Sequence, residues 1–359
     1  MKNTDLNDKI AGCLIGGAAG DALGYPVEFI YSFDQISRQY GPNGITAYDC
    51  HHGWSGEEYA EAQISDDTQM SLYTIEAFLE AANRRCNPYE LVAEAYLAWM
   101  NGQTGHNVTI DYDSELAKIV DFNQRRAPGN TCLTALEDIA CSREVINNSK
   151  GCGGIMRVAP VGLLGALTGV PLSETAIAGG EVALITHKHP MSTYASSAMA
   201  VIVRLCVEYQ GHMTVDDFTE IVIKALKTVG EVYGSDSALF VELIKFALSK
   251  VADQPADHQV IESDLGEGWI AEETLAIAVF CVARHLDSVA DTIIAAVNHG
   301  GDSDSTGAVS GNIIGAILGY KAIPQSLTDN LQFRDLILQY GRRLHAAYDN
   351  HCGTSSTDD

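Results

Sequence analysis

Ser65-Asp66-Asp67-Thr68-Gln69-Met70-Ser71-Leu72-Tyr73-Thr74-Ile75-Glu76-Ala77-Phe78-Leu79 decides how this chain is read. Met70, Leu72, Tyr73, Ile75, Phe78 and Leu79 fall at the spacing of an amphipathic α-helix. The hydroxyls and acids before them suit a helix N-terminus, where side-chain oxygens accept bonds from orphan amides. Capping accounts for one or two of Ser65, Asp66, Asp67 and Thr68, not for all four. Carboxylates this dense repel one another unless a cation neutralises them, and a hard divalent metal with oxygen ligands does so best.

The helical period recurs on both sides of this stretch. It runs from about Leu6 to Gly20, with Ile10, Leu14 and Ala18 on one face. Asn87-Pro88 reads as an N-cap and first turn ahead of Leu91, Ala95 and Trp99. Pro190 opens a helix ending near Gly211, and Thr214 with Asp217 opens the next. Further helices are expected over Ser235–Val251, Ala271–His285, Val289–Val297, Asp304–Leu318 and Leu327–Tyr348. Strand alternation is scarce, and Pro160 and Gly162 argue against a central strand at Val158–Leu164. Asp253–Gly268 and His51–Gln63 read as loops, and Gly353–Asp359 as a frayed end. With no repeat or linker visible, the expectation is an all-α protein. It would form a single compact multi-helix domain over residues 1–350, with a tail at 351–359.

A second acidic cluster, Asp302-Ser303-Asp304-Ser305-Thr306, also sits at an expected helix start, after Asn298-His299-Gly300-Gly301. It is not an EF-hand, because Asn312 stands where the closing Glu belongs. If the two clusters meet, Asp66, Asp67, Asp302 and Asp304 suffice for two metals, which makes a metallohydrolase the first hypothesis. Glu28, beyond Gly20-Asp21-Ala22-Leu23-Gly24, either follows a helix C-terminus without a chemical role or joins the metals as a ligand or acid/base. Lys150-Gly151-Cys152-Gly153-Gly154-Ile155-Met156-Arg157 is an anion nest or a flexible connection. It lacks the ending of a phosphate-binding Walker loop. Of His187 and His189, one could line a pocket, while solvated or capping histidines are the default; His51-His52 reads likewise. No Gly-x-Ser-x-Gly elbow is present.

The 359 residues carry 47 acids and 22 bases, a net charge of −25. Such a surface repels nucleic acids and anionic membranes, so neither is an expected partner. A small anion would need local help from metals, helix ends or glycine amides. Nine cysteines, with no Cys-x-x-Cys pair, read as reduced thiols of a cytoplasmic protein. The opening MKNTDLNDKI lacks a signal-peptide core, and no membrane span is evident in the sequence.

Four blocks resemble the ADP-ribosylglycohydrolase family, in that family's order: Ala11-Gly12 through GDALGYPVEF to Phe29, ISDDTQMSL, KGCGGIMRVAPVGL, and VNHGGDSDSTGAVSGNIIGA. The resemblance spans about Leu6 to Tyr320 and implies an all-helical fold with two divalent metals, Mg or Mn. It implies Ser65, Asp66, Asp67, Asp302, Asp304 and Ser305 as ligands. Glu28 would lie at the metals and take part in catalysis, with Asp66 or Asp304 sharing the proton transfers. Gly151, Cys152, Gly153, Gly154 and Met156 would hold the diphosphate and distal ribose, and His187 would touch substrate. The implied activity is removal of ADP-ribose from an ADP-ribosylated protein, chiefly from arginine. The alternatives are serine-linked ADP-ribose, a free ADP-ribose derivative, or a non-catalytic ADP-ribose-binding relative. Ser65 and Ser305 stand where the family often has Thr, which keeps the hydroxyl. Cys152 stands where many members have Asn, and Asp111-Tyr112-Asp113 replaces an Asp-Ile-Gly segment of some members.

Overall fold

Glycine is spaced four residues apart along the first helix, and that spacing organises the molecule. The computed structural model describes residues 3–50 and 59–349. In chain order the helices are α1 (Asn3–Gly24), α2 (Phe33–Tyr40), α3 (Asp66–Arg84), α4 (Val92–Thr104), α5 (Asn130–Ala140), α6 (Ala159–Thr168), α7 (Leu172–Leu184) and α8 (Pro190–Glu208). They continue as α9 (Val215–Tyr233), α10 (Ala238–Ser249), α11 (Asp257–Val260), α12 (Ala271–Arg284), α13 (Val289–Val297), α14 (Ser303–Leu318) and α15 (Arg334–Asp349). Among the described residues there is no strand, only two isolated bridges.

α1 and α14 run antiparallel, with backbones nearly touching. A Cβ on Gly12, Gly16 or Gly20 would lie 2.3, 2.3 or 1.9 Å from the carbonyl oxygen of Gly315, Gly311 or Gly307. One turn further, a Cβ on Gly24 would lie 2.3 Å from Ser303 O. Residues four apart share a helix face, so this stripe lets the two helices lie closer than any side chain would allow. The contact fixes their register. The end of α1 abuts the start of α14, and the turn Tyr25–Val27 then carries Glu28 toward Asp302 and Asp304.

A second tie leaves α1 at Asp21. This buried carboxylate accepts Ser65 N at 2.9 Å and Thr68 N at 3.1 Å, and also bonds the Thr68 hydroxyl. It therefore caps α3 from another helix and draws the first acidic cluster to the end of α1. Around this frame, α6, α7, α8 and α12 bury an apolar core that includes Val201, Ile202, Val203, Ile277 and Phe280. α8, and α1 with the turn after it, are long and apolar enough to cross a membrane by composition, but each is 89% buried inside this fold.

The Thr214–Asp217 start is a reciprocal capping box. Asn87 accepts Tyr89 N as expected, although the first turn is a 3₁₀ turn before α4. Several boundaries differ. α8 ends at Glu208, α10 starts at Ala238 and α15 starts at Arg334. Val158–Leu164 lies mostly in α6, where Pro160 occupies the first turn, which needs no amide donor. Asp253–Gly268 is not a plain loop. It holds α11 and a π-helical turn, Ile261–Leu265, that buries Val260, Ile261 and Leu265. α2, α5 and α7 were not expected from the pattern. His51, His52 and the 353–359 tail lie outside the described residues.

Candidate active site

Both acidic clusters start helices, and both helices aim their N-termini into one cleft. Ser65 caps α3 by accepting Asp67 N at 3.2 Å. Asp302 caps α14, with its Oδ1 3.4 Å from Ser305 N, and Asp304 Oδ1 accepts the same amide at 2.9 Å. Capping and clustering are thus one arrangement, because the positive helix ends offset part of the negative charge. Oxygen atoms of Glu28, Asp302 and Asp304 come within 4.8 Å of one another. Asp66 and Asp67 face the same cleft, where Asp66 Oδ2 also accepts Gly129 N at 3.3 Å.

The cleft encloses about 350 Å³. Its lining joins Glu28, Asp66, Asp67, Asp302, Asp304 and Ser305 to Gly151, Cys152, Gly153, Met156 and His187, and the Cys152 thiol bonds to Asp302. Two residues of the acidic and glycine segments are not on the open lining. Ser65 is fully buried, with its side chain bonded to Asp304, and Gly154 packs on Ser192 and Ala183, where a Cβ would meet Ser192 Oγ at 2.4 Å. Gly153 leaves room for His187 and Cys132, either of which a Cβ would meet at 2.9 Å. Phe29 follows Glu28 with φ at +68°, a left-handed conformation costly for an aromatic residue, and its ring stacks on Trp269 at 5.4 Å.

Burial and mutual repulsion push the Glu28, Asp66, Asp67 and Asp302 carboxyls up, and burial alone pushes Asp304 up. Glu28 Oε2, Asp67 Oδ2 and Asp302 Oδ2 are buried with no hydrogen-bond partner among the described residues. An unmatched buried oxygen costs free energy, and here three belong to acids aimed into one space. The all-oxygen donor set, its charge and these orphaned lone pairs fit hard divalent cations.

His187 is held by Thr186 Oγ1, 2.8 Å from its Nδ1. Burial, and secondarily the Arg157 guanidinium, push its pKa down to about 3, so it is neutral near pH 7. Arg157 is itself buried over the Tyr96 ring and bonded to Thr186 and Val182 O. His189 accepts Met191 N at 3.0 Å and caps α8. Asp111 and Asp113 lie on the surface, paired with Arg84 and Lys118.

Sequence reasoning missed Asp21, the 127–132 wall, Trp269 and Arg157. Asp21 left one usable signal, an acid inside the small apolar stripe of α1. Nothing local marked the others.

This all-helical domain directs two helix N-termini and five carboxylates into one glycine-walled cleft, the donor set of a site for hard divalent cations. The ADP-ribosylglycohydrolase family model matches residues 2–354, and the chain belongs to that family. The ADP-ribosyl-[dinitrogen reductase] glycohydrolase of Rhodospirillum rubrum is 25% identical over 93% of this chain and 94% of its own length. Human ADP-ribosylhydrolase ARH3 is 24% identical over 89% and 87%. The ADP-ribosylarginine hydrolase Tri1 of Serratia proteamaculans is 24% identical over 94% and 79%. A solved structure titled as an ADP-ribosylglycohydrolase-related protein complex superposes with a TM-score of 0.64 at 22% identity, covering 96% of this chain and 99% of that one.

Proposed function

We propose that this protein hydrolyses the N-glycosidic bond between ADP-ribose and an arginine side chain, reversing mono-ADP-ribosylation of a protein. The observation that carries the reading is the meeting of Glu28, Asp302 and Asp304 oxygens within 4.8 Å, in the cleft that Asp66 and Asp67 also face. Ser65, Asp66, Asp67, Asp302, Asp304 and Ser305 would hold two divalent cations, Mg or Mn. When bound, the cations supply the positive charge that acidifies a water and fixes ribose hydroxyls.

The chain's own residues do the rest. Glu28 sits at the mouth of the cluster and passes a proton between the attacking water and the departing nitrogen, with Asp66 or Asp304 sharing the transfers. Gly151, Cys152, Gly153 and Met156 form the wall along the diphosphate and distal ribose, with Gly154 packed behind them. Neutral His187 offers a hydrogen bond without adding charge. In a chain of net charge −25, an anionic ligand is drawn by local groups while the overall field opposes it. The arginine linkage is supported by the name of the Serratia relative; serine-linked ADP-ribose is the competing substrate. The eight described cysteines are free thiols, which supports a reducing compartment such as the cytoplasm.

Asp66→Ala and Asp304→Ala are expected to abolish ADP-ribose release from arginine-modified protein while the helical circular dichroism is kept. Full release by either variant, or by the wild type in excess chelator, would overturn the cation-dependent mechanism. Release from serine-linked but not arginine-linked substrate would reassign the bond.

A further inference from the structure

The geometry points to Glu262 as a positioning residue for the carboxylate centre, an inference that rests on the cation-binding reading above. Its Oε1 accepts the backbone N–H of Phe33 at 2.7 Å and that of Gly300 at 3.0 Å. Phe33 opens α2 five residues after Glu28, and Gly300 lies two residues before Asp302. One oxygen thus ties the segment carrying Glu28 to the segment carrying Asp302.

Those segments already touch through their backbones. Gly301 N donates to Ile30 O at 3.2 Å, and a Cβ on Gly300 would lie 2.3 Å from Tyr31 O. Ser32, at the N-cap of α2, makes no side-chain bond to its helix. Glu262 supplies that acceptor from 229 residues further along the chain, and its negative charge suits the positive end of the helix. The π turn Ile261–Leu265, a geometry that recurs at functional sites, places it there.

The residues just beyond continue the same task. Glu267 O accepts Asp302 N at 2.8 Å, and Trp269 O accepts Cys152 N at 3.1 Å. The Trp269 ring packs on Phe29. A single segment, 262–269, therefore contacts the Glu28 side, the Asp302 side and the glycine wall of the cleft. Without the Glu262 acceptor the first two sides lose their shared anchor. Their three carboxylates, held within 4.8 Å, then lose the spacing on which shared cation binding depends.

Calorimetric titration of the full-length protein with Mn²⁺ tests this. Glu262→Ala is expected to weaken Mn²⁺ binding by about tenfold, and Glu262→Asp, which keeps the charge but loses reach, by a smaller but measurable factor. Glu262→Gln keeps an oxygen able to accept both amides and is expected to stay within about twofold of wild type. Tyr348→Phe removes a hydroxyl that donates to Phe78 O at 2.9 Å, away from the cleft, and is expected to bind Mn²⁺ as wild type does. Wild-type affinity in Glu262→Ala overturns the inference. So does an equal loss in Tyr348→Phe, which would mark a general effect on the fold. If Glu262→Ala does not fold, wild-type affinity in Glu262→Asp overturns it instead. If the wild type itself takes up no Mn²⁺, the underlying reading fails and this inference falls with it.

Discussion

Gly20→Ala puts one methyl group between α1 and α14, at their closest approach. The added Cβ would lie 1.9 Å from Gly307 O and 2.3 Å from its carbonyl carbon. A carbon and a carbonyl oxygen rest about 3.3 Å apart, so the helices must part locally by about 1.4 Å. The obstacle is helix backbone, which cannot rotate aside as a side chain would. Overpacking a tight core costs about 1–3 kcal/mol, and a backbone obstacle belongs at the upper end. Alanine's better helix propensity returns about 0.5–1 kcal/mol, leaving a net loss of about 2 kcal/mol. With an unfolding entropy of about 2.1 cal/mol/K per residue over 359 residues, that loss lowers Tm by about 3 °C. One turn on, Gly24 meets Ser303, so the same parting moves Glu28 away from Asp302 and Asp304. Affinity for Mn²⁺ should therefore fall as well, by about tenfold. Gly230→Ala on α9, where a Cβ meets nothing within 4 Å, is the control and should gain about 0.5–1 kcal/mol. Scanning calorimetry and Mn²⁺ titration read both variants. Wild-type Tm and wild-type affinity in Gly20→Ala would refute the argument that this contact sets the spacing of the acids.

Two further outcomes concern the acids themselves. Burial first, and then the neighbouring Asp304 charge, raise Asp21 to about 7 in the folded chain, and Asp66, Asp67 and Asp302 are raised for the same reasons. Above about pH 4, where unfolded carboxyls lose their protons, the native state holds more protons than the unfolded one. Stability in chelator should thus be greatest below that pH with respect to these groups. It should fall as pH rises toward 7, and saturating Mn²⁺ should remove most of the fall; a chelated Tm that rises across this range would contradict the assignment. Asp21→Ala strands two buried amides and a hydroxyl at the start of α3, and is expected to cost about 3 kcal/mol in urea unfolding and to weaken Mn²⁺ binding. An unchanged midpoint would show that α3 does not depend on that cap.

Much of the architecture could be read from local pattern. α9 and α13 follow apolar periodicity closely, because one face of each helix is buried, whereas α3, α12 and α14 are buried nearly all round and show as long runs of apolar and small residues behind polar helix starts. α2 escaped because only Ile36 among its eight residues is buried. α6 was not expected either: Pro160 and Gly162 told only against a strand at Val158–Leu164, yet a first-turn proline suits a helix and Gly162 lies against Ala200 O of α8. The polar look of Asp253–Gly268 hid a π turn whose acids work at a distance. Glu262 reaches an amide 229 positions away, and no local period records such a pairing.

Read as text alone, the chain already declared its helical class and its two oxygen-rich helix starts, since both are properties of a few consecutive residues. It could not declare that Glu28, Asp302 and Asp304 would stand within 4.8 Å of one another. That distance comes from backbone-to-backbone contact along the glycine faces of α1 and α14, and from the Asp21 carboxylate reaching α3. Such contacts join residues that are remote along the chain, so their energy exists only once the helices have packed.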